Sequence, residues 1–320
     1  MNEMQAYVQE VLNLIEWANG PATSTWGAKR AAAGHPAPFK LQYVGIGNED
    51  KITPEFEQRF QMIYAAVKAK HPEITVIGTA GPFPDGEDFT RGWNFANAQQ
   101  VPVVDEHYYK NPEWFVTNQY RYDAYDRTKG HVYLGEYASW GNKMKNAVVE
   151  ALYMIALERN GDVVRMASYA PLFAKKDHTQ WGTDMIFFDN KKLYLTPNYY
   201  VQKMFTANQG DVYFKNIVTL NKADSTVAAS CVRDSQTGDV ILKLANAGTE
   251  VKVMKIDLSG FKGMASTAQQ IILAGPPDAE NSYDNPNPVA PVESTLKIAR
   301  TFDYKAPAGS VTLLRIKTKG

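Results

Sequence analysis

The chain has 320 residues, 44% of them hydrophobic, with Lys+Arg and Asp+Glu balanced at 34 each. That length and apolar fraction can fill a substantial core or two, and the charge balance excludes the basic excess that marks a nucleic-acid or anionic-membrane partner. Cys231 is the single cysteine, which excludes an intrachain disulfide framework and a cysteine-based zinc site, and no run is long and apolar enough to span a bilayer.

Residues 1 to 20, MNEMQAYVQEVLNLIEWANG, carry Glu3, Glu10 and Glu16 and lack a signal-peptide core. Met4, Tyr7, Val8, Val11, Leu12 and Ile15 recur at helical spacing, which predicts a helix with that face inward. The Gly/Pro/Ala-rich stretch 20–39 reads as a long loop, a kind of segment that is often functional. LQYVGIGNED then supplies an apolar strand that stops on Asn48-Glu49. Thr53-Pro54 gives an N-cap and a first-turn proline, with Phe56, Phe60, Ile63 and Val67 as the buried face of the helix that follows. The alternation repeats: ITVIGTAG (74–81) and VPVVDEHYY (101–109) as strands, a helical stretch near 114–127, then HVYLGEYASW (131–140) as a strand. A helix from about Asn142 to Arg159 is followed by VVRMASYAPLF (163–173), a loop with Trp181 and Asp184, and a helix opened by Thr196-Pro197.

Strands alternating with helices predict a parallel sheet covered by helices, with polar residues at the strands' C-terminal ends as a (β/α) barrel requires of its active site. Five strand–helix units are visible, whereas a closed barrel has eight strands. The expectation is therefore an incomplete (β/α)8 TIM-type barrel over residues 1–209. From Gly210 onward, short alternating segments such as STVAASCVRD, DVILKLANAG, EVKVMKIDLSG, STLKIARTFDYKAP and SVTLLRIKT are separated by turn-rich sequence. They predict an antiparallel β-sandwich over residues 210–320, with 275–291 as a surface loop.

Glu49 and Glu136 each end an apolar, glycine-containing strand, and barrel geometry points both into one mouth. Two carboxylates flanking a scissile bond are what glycoside hydrolysis needs, one to donate a proton and the other to attack the anomeric carbon or activate water. Either glutamate alone reads equally as a solvated strand end; the pair favours chemistry. Asn48 offers an amide to a sugar hydroxyl. Asp105 and Glu106 are adjacent, so their side chains point to opposite faces of a strand and cannot flank one bond; they read as structural. Trp140 is a candidate sugar-stacking surface, with capping of the next helix as its plainer reading, and Trp181, in the loop after the last barrel strand, is a candidate for lining the same mouth. His35, His71, His131 and His178 show no ligand spacing, so neither a metal nor any other cofactor is expected.

GIGNE, DEHYY and YLGEYASW, at what would be a fourth, sixth and seventh barrel strand, resemble the α-L-arabinofuranosidases of glycoside hydrolase family 51. NGPATSTWGAKRAAAGHP, VVDEHYYKNP, SYAPLF and TPNYYVQKMF carry the resemblance along nearly the whole chain. It implies Glu49 as acid/base, Glu136 as nucleophile, and Asn48, His107 and Tyr109 as substrate-pocket residues in a retaining double displacement. The implied substrate is an arabinose-containing oligo- or polysaccharide, with no nucleic-acid or membrane partner. The two glutamates by themselves also permit another retaining glycosidase, such as a β-xylosidase or endoglucanase, or a non-catalytic carbohydrate-binding protein. The resemblance lacks the family's first three barrel strands, so the chain reads as a C-terminal fragment. Reduced activity and self-association through an open barrel edge are then expected, and any export signal would precede Met1.

Overall fold

The computed structural model describes residues 2–220 and 222–318. The chain forms two compact units, one built from the chain up to Tyr108 with residues 126–135 and 165–167, the other from residues 109–125, 136–164 and from Ser168 onward.

The first unit opens with α1 (Asn2–Asn19), which buries Leu12, Ile15 and Ala18. Tyr7, expected inward, is exposed, because it falls at the margin of the stripe that Val8, Val11, Leu12 and Ile15 define. The stretch read as a long loop contains α2 (Thr25–Ala32), capped by Ser24, whose side chain accepts from the Gly27 N–H. Arg30 on α2 is fully buried, and its guanidinium donates to the carbonyls of Trp17, Ala18, His35 and Pro36. A buried guanidinium is stable only when its donors are met, so this segment is a structural clamp on the end of α1.

β1 (Tyr43–Gly45), β2 (Thr75–Thr79), β3 (Val103–Lys110), β4 (His131–Ser139) and β5 (Val164–Tyr169) form one sheet in chain order. β1 pairs parallel with β2 through Val44↔Val76, and β2 with β3 through Ile77↔Val103. Helices fill the connections: α3 (Pro54–Lys70), α4 (Glu87–Ala98), α5 (Pro112–Thr117) and α6 (Met144–Arg159). α3 begins as expected, with the Thr53 hydroxyl accepting from the Phe56 N–H and Pro54 in the first turn. Ile15, Phe60, Ile63 and Val67 meet Ile74, Val76 and Val104 in this unit's core. β1 is mostly exposed, with Val44 alone half-buried, not the buried strand its apolar run suggested. The helix expected across 114–127 stops at Thr117, where the Asn118 side chain donates back to the Trp114 carbonyl; a short 3-10 turn follows at Arg121–Ala124.

In the second unit, the run expected as one strand over 163–173 is divided at Pro171. β6 (Phe173–Lys175), β7 (Ile186–Phe188) and β8 (Leu193–Leu195) form a small sheet inside what reads as loop, and α7 (Pro197–Thr206) follows with Thr196 as its cap. β9 (Val212–Tyr213), β10 (Val218–Leu220), β11 (Val227–Arg233), β12 (Val240–Asn246), β13 (Lys252–Asp257), β14 (Thr267–Ala274), β15 (Val292–Lys297), β16 (Thr301–Ala306) and β17 (Ser310–Ile316) complete the chain. They form a six-stranded sheet, β15-β14-β17-β12-β11-β9, and a three-stranded sheet, β10-β13-β16. The segment 294–307, read as one strand, is two.

Alternation along β12 explains the packing. Val240, Leu242 and Leu244 face Met254, Ile256 and Tyr304 of the smaller sheet, while Ile241 and Ala245 face α6 and α7 through Val148, Leu152 and Phe205. Both faces of the six-stranded sheet are thus covered, which is why every residue of β12 is buried. Residues 275–291 are not simply a surface loop: Asn281 and Val289 are buried, and the Pro277 and Ala279 carbonyls accept from the Lys145 and Met144 N–H groups at the start of α6. Among the described residues, no helix is long and apolar enough to cross a membrane.

Candidate active site

The chain leaves β1 through a tight turn at Gly47, whose φ of 91° is in the left-handed region and whose absent Cβ would lie 2.9 Å from Asp50 Oδ2 and from Thr79 Cγ2. The Asn48 N–H donates to Asp50 Oδ2 at 2.8 Å, and the Asn48 carbonyl accepts from Thr79 Oγ1 at 2.8 Å. Asn48 is therefore held by its backbone, while both Asn48 and Glu49 stay exposed. Glu49 Oε1 lies 3.0 Å from Nδ1 of His107, a residue only 3% exposed.

β3 supplies that histidine, and its alternation sorts the whole run DEHYY. Glu106 points to the helix side, where the Trp93 indole N–H donates to Glu106 Oε1 at 2.8 Å. Asp105, His107 and Tyr109 share the opposite face. Asp105 is thus not the bystander that its pairing with Glu106 suggested. Its Oδ2 lies 3.1 Å from His107 Nε2, and its Oδ1 accepts from the Gly135 N–H at 3.0 Å. His107 is held between two carboxylates.

Glu136 on β4 accepts a hydrogen bond of 2.7 Å from the Tyr109 hydroxyl at Oε2. The Tyr109 ring packs 5.0 Å from Trp181 and 5.7 Å from Trp140, and the two indoles stack 5.6 Å apart at 5°. Both tryptophans are more than two-fifths exposed, so an indole surface remains open beside Glu136. Trp140 is set by its backbone: its N–H donates to the Lys110 carbonyl, and the Asn146 side-chain amide donates to the Trp140 carbonyl and the Ser139 hydroxyl. One turn along α6, Glu150 Oε1 accepts from the Ser139 N–H at 2.8 Å, and complete burial pushes the Glu150 carboxyl up to about 8. The Trp181 loop is tied down by the Tyr169 hydroxyl donating to the Thr183 carbonyl and by the Asn142 amide donating to the Asp184 carbonyl.

The structure thus brings Glu49 together with His107, and Glu136 together with Tyr109, Trp140 and Trp181. Sequence reasoning missed Asp105, Asn146 and Glu150. Asp105 was within reach of the alternation argument, since it is two residues from His107 on one strand. Asn146 and Glu150 gave no signal beyond being polar on a helix whose neighbours are apolar.

Comparison with known proteins places this arrangement. The family model described as the α-L-arabinofuranosidase 1 domain matches residues 1–127, and that of the α-L-arabinofuranosidase C-terminal domain matches residues 135–310. An extracellular exo-α-L-arabinofuranosidase of Streptomyces chartreusis is 49% identical over 208 residues, covering 65% of this chain and 25% of that protein. α-L-Arabinofuranosidase A of Aspergillus kawachii is 34% identical over 326 residues, covering 96% of this chain and 48% of its own length. The arabinose-bound structure of the α-L-arabinofuranosidase MgGH51 superposes with a TM-score of 0.90 at 32% identity, covering 99% of this chain and 52% of that one. The chain spans about half the length, or less, of the curated relatives it matches. With its C-terminal model match alone extending over more than half of the sequence, the chain belongs to the α-L-arabinofuranosidases of glycoside hydrolase family 51.

Proposed function

We propose that this chain carries the two catalytic carboxylates of a retaining α-L-arabinofuranosidase, with Glu49 as acid/base and Glu136 as nucleophile, acting on terminal arabinofuranosyl residues of arabinose-containing glycans. One observation carries the assignment beyond family membership. The residues that hydrogen-bond the two glutamates, His107 and Tyr109, are two apart on one face of β3. One strand therefore carries a hydrogen-bond partner for each of the two carboxylates that a retaining mechanism uses.

The partners also divide the roles. The phenol O–H that donates to Glu136 Oε2 fixes the orientation of the carboxylate that would attack an anomeric carbon. An imidazole nitrogen facing Glu49 can accept a proton from it or donate one to it, as suits a group that must be an acid in the first step and a base in the second. In the first step Glu49 protonates the glycosidic oxygen while Glu136 forms an ester with the sugar. In the second, Glu49 takes a proton from water, which displaces the ester. The open indole surfaces of Trp140 and Trp181 suit stacking against the apolar face of a sugar, and the Asn48 amide suits a hydroxyl of the bound arabinose.

Chromogenic α-L-arabinofuranoside, β-xyloside and β-glucoside, assayed side by side, test the reading. The arabinofuranoside is expected to be cleaved at least ~10-fold faster than either other substrate, and Glu136→Ala to lower its kcat by about 10³ or more. Preference for the xyloside or glucoside, or wild-type turnover by Glu136→Ala, contradicts it.

A further inference from the structure

We infer that Asp105 is a positioning residue for the acid/base: it fixes which nitrogen of His107 carries the permanent proton and thereby leaves the other nitrogen to share one proton with Glu49. The inference rests on the proposed role of Glu49 and deepens it. Asp105 Oδ1 already accepts from the Gly135 N–H at 3.0 Å, so Oδ2, at 3.1 Å, is the oxygen left for the ring. A carboxylate oxygen there requires N–H at His107 Nε2. Nδ1 then faces Glu49 Oε1 at 3.0 Å, and one proton satisfies that contact in either of two positions. It sits on Glu49 and donates to the Nδ1 lone pair, or it sits on Nδ1 and donates to the Glu49 carboxylate. The form with the proton on Glu49 is the acid: protonating the leaving oxygen takes the shared proton out of the contact, and the proton that Glu49 removes from water in the second step puts it back.

A second observation shows how tightly Asp105 is placed. A Cβ on Gly135 would lie 2.1 Å from Asp105 Oδ1, so the carboxylate occupies the space that any side chain at 135 would need. Glycine at this position, immediately before Glu136, lets the Asp105 carboxylate lie flat against the β4 backbone. With Oδ1 anchored to that backbone, the carboxylate cannot turn freely and Oδ2 is aimed at the ring.

Asp105→Asn tests this with nearly unchanged shape. The amide oxygen must stay on the Gly135 N–H, which turns the amide NH2 toward His107 Nε2 and requires a lone pair there. The neutral ring then carries its proton on Nδ1, donates permanently to Glu49, and leaves Glu49 Oε1 no acid form. Long-range 1H–15N spectra of histidine-labelled protein, with the His107 signals identified by their loss in His107→Gln, are expected to show Nε2 protonated in the wild type and the proton moved to Nδ1 in Asp105→Asn. In parallel, kcat on an arabino-oligosaccharide, whose leaving group needs a proton, is expected to fall about 10²-fold more than kcat on a nitrophenyl arabinofuranoside, whose leaving group does not. Asp105→Glu, which keeps the charge, is expected to retain the wild-type tautomer. A wild-type ring protonated only at Nδ1 overturns the inference whatever the variants do, and so does an equal loss on both substrates. Absence of glycosidase activity in the wild type would instead remove the functional reading, while the spectra would still decide whether Asp105 sets the ring.

Discussion

Glu150 is a carboxyl with no access to water, and its raised value of about 8 comes first from that burial. The folded chain therefore keeps a proton that the unfolded chain releases near 4.5. Because the native state binds more protons across that window, stability falls as pH rises from about 4.5 to about 8. Glu150→Gln keeps an acceptor for the Ser139 N–H without the charge, so its unfolding free energy is expected to lose roughly 4 kcal/mol less than the wild type between those limits. Urea titrations of both proteins at pH 5 and pH 8 measure this, and parallel pH profiles would contradict it. At this scale the sequence was uneven. Glu49 and Glu136 stood out because each closes a short apolar, glycine-containing run, whereas His107 and Tyr109 were named through the family resemblance; the structure sets His107 against Glu49 and Tyr109 against Glu136. Asp105 was set aside by comparison with its neighbour Glu106, although the alternation that separates those two puts Asp105 beside His107. Glu150 was illegible, since nothing in its local sequence says that the polar side of a helix will be covered.

That covering is a property of α6 as an element. It packs against α5 and α7 and against the six-stranded sheet, so its polar residues must find partners within the protein. Glu158, near its C-terminal end, pairs with the fully buried Lys243 of β12 and accepts from the Ser230 hydroxyl of β11 at 2.6 Å. Removing one partner leaves the other buried charge uncompensated, whereas replacing both with apolar groups does not. Glu158→Leu, which leaves the fully buried Lys243 ammonium unpaired, is accordingly expected to lower the unfolding free energy by about 3 kcal/mol, and Glu158→Leu with Lys243→Met to recover most of it. Denaturation midpoints with an unchanged m-value check this; a single variant within ~0.5 kcal/mol of wild type would contradict it. Elements with strong local signals, such as the capped helices α3 and α7 and the apolar strands β2 to β4, were read from sequence nearly to the residue. The shortest ones were not: α2, β7 and β8 lie in sequence that looks like loop, and their order comes from tertiary partners such as the buried Arg30 and the pairing of β7 between β6 and β8.

For the whole molecule, five strands in chain order with helices between them, followed by two antiparallel sheets, were expected from the change in sequence pattern near Gly210, and the structure has that order. Family membership rests on matches along both parts of the chain. What the pattern could not give is which side chains meet, because contacts between strands distant in sequence depend on register. The account depends on Glu136 attacking the sugar with Glu49 as its acid/base. Incubation with an activated 2-fluoro-α-L-arabinofuranosyl donor, followed by peptide mass spectrometry, tests it most directly. The account predicts a stable glycosyl ester confined to the peptide containing Glu136 and absent from Glu136→Ala. An ester on another carboxylate, or turnover of the donor that persists in Glu136→Ala, would contradict it.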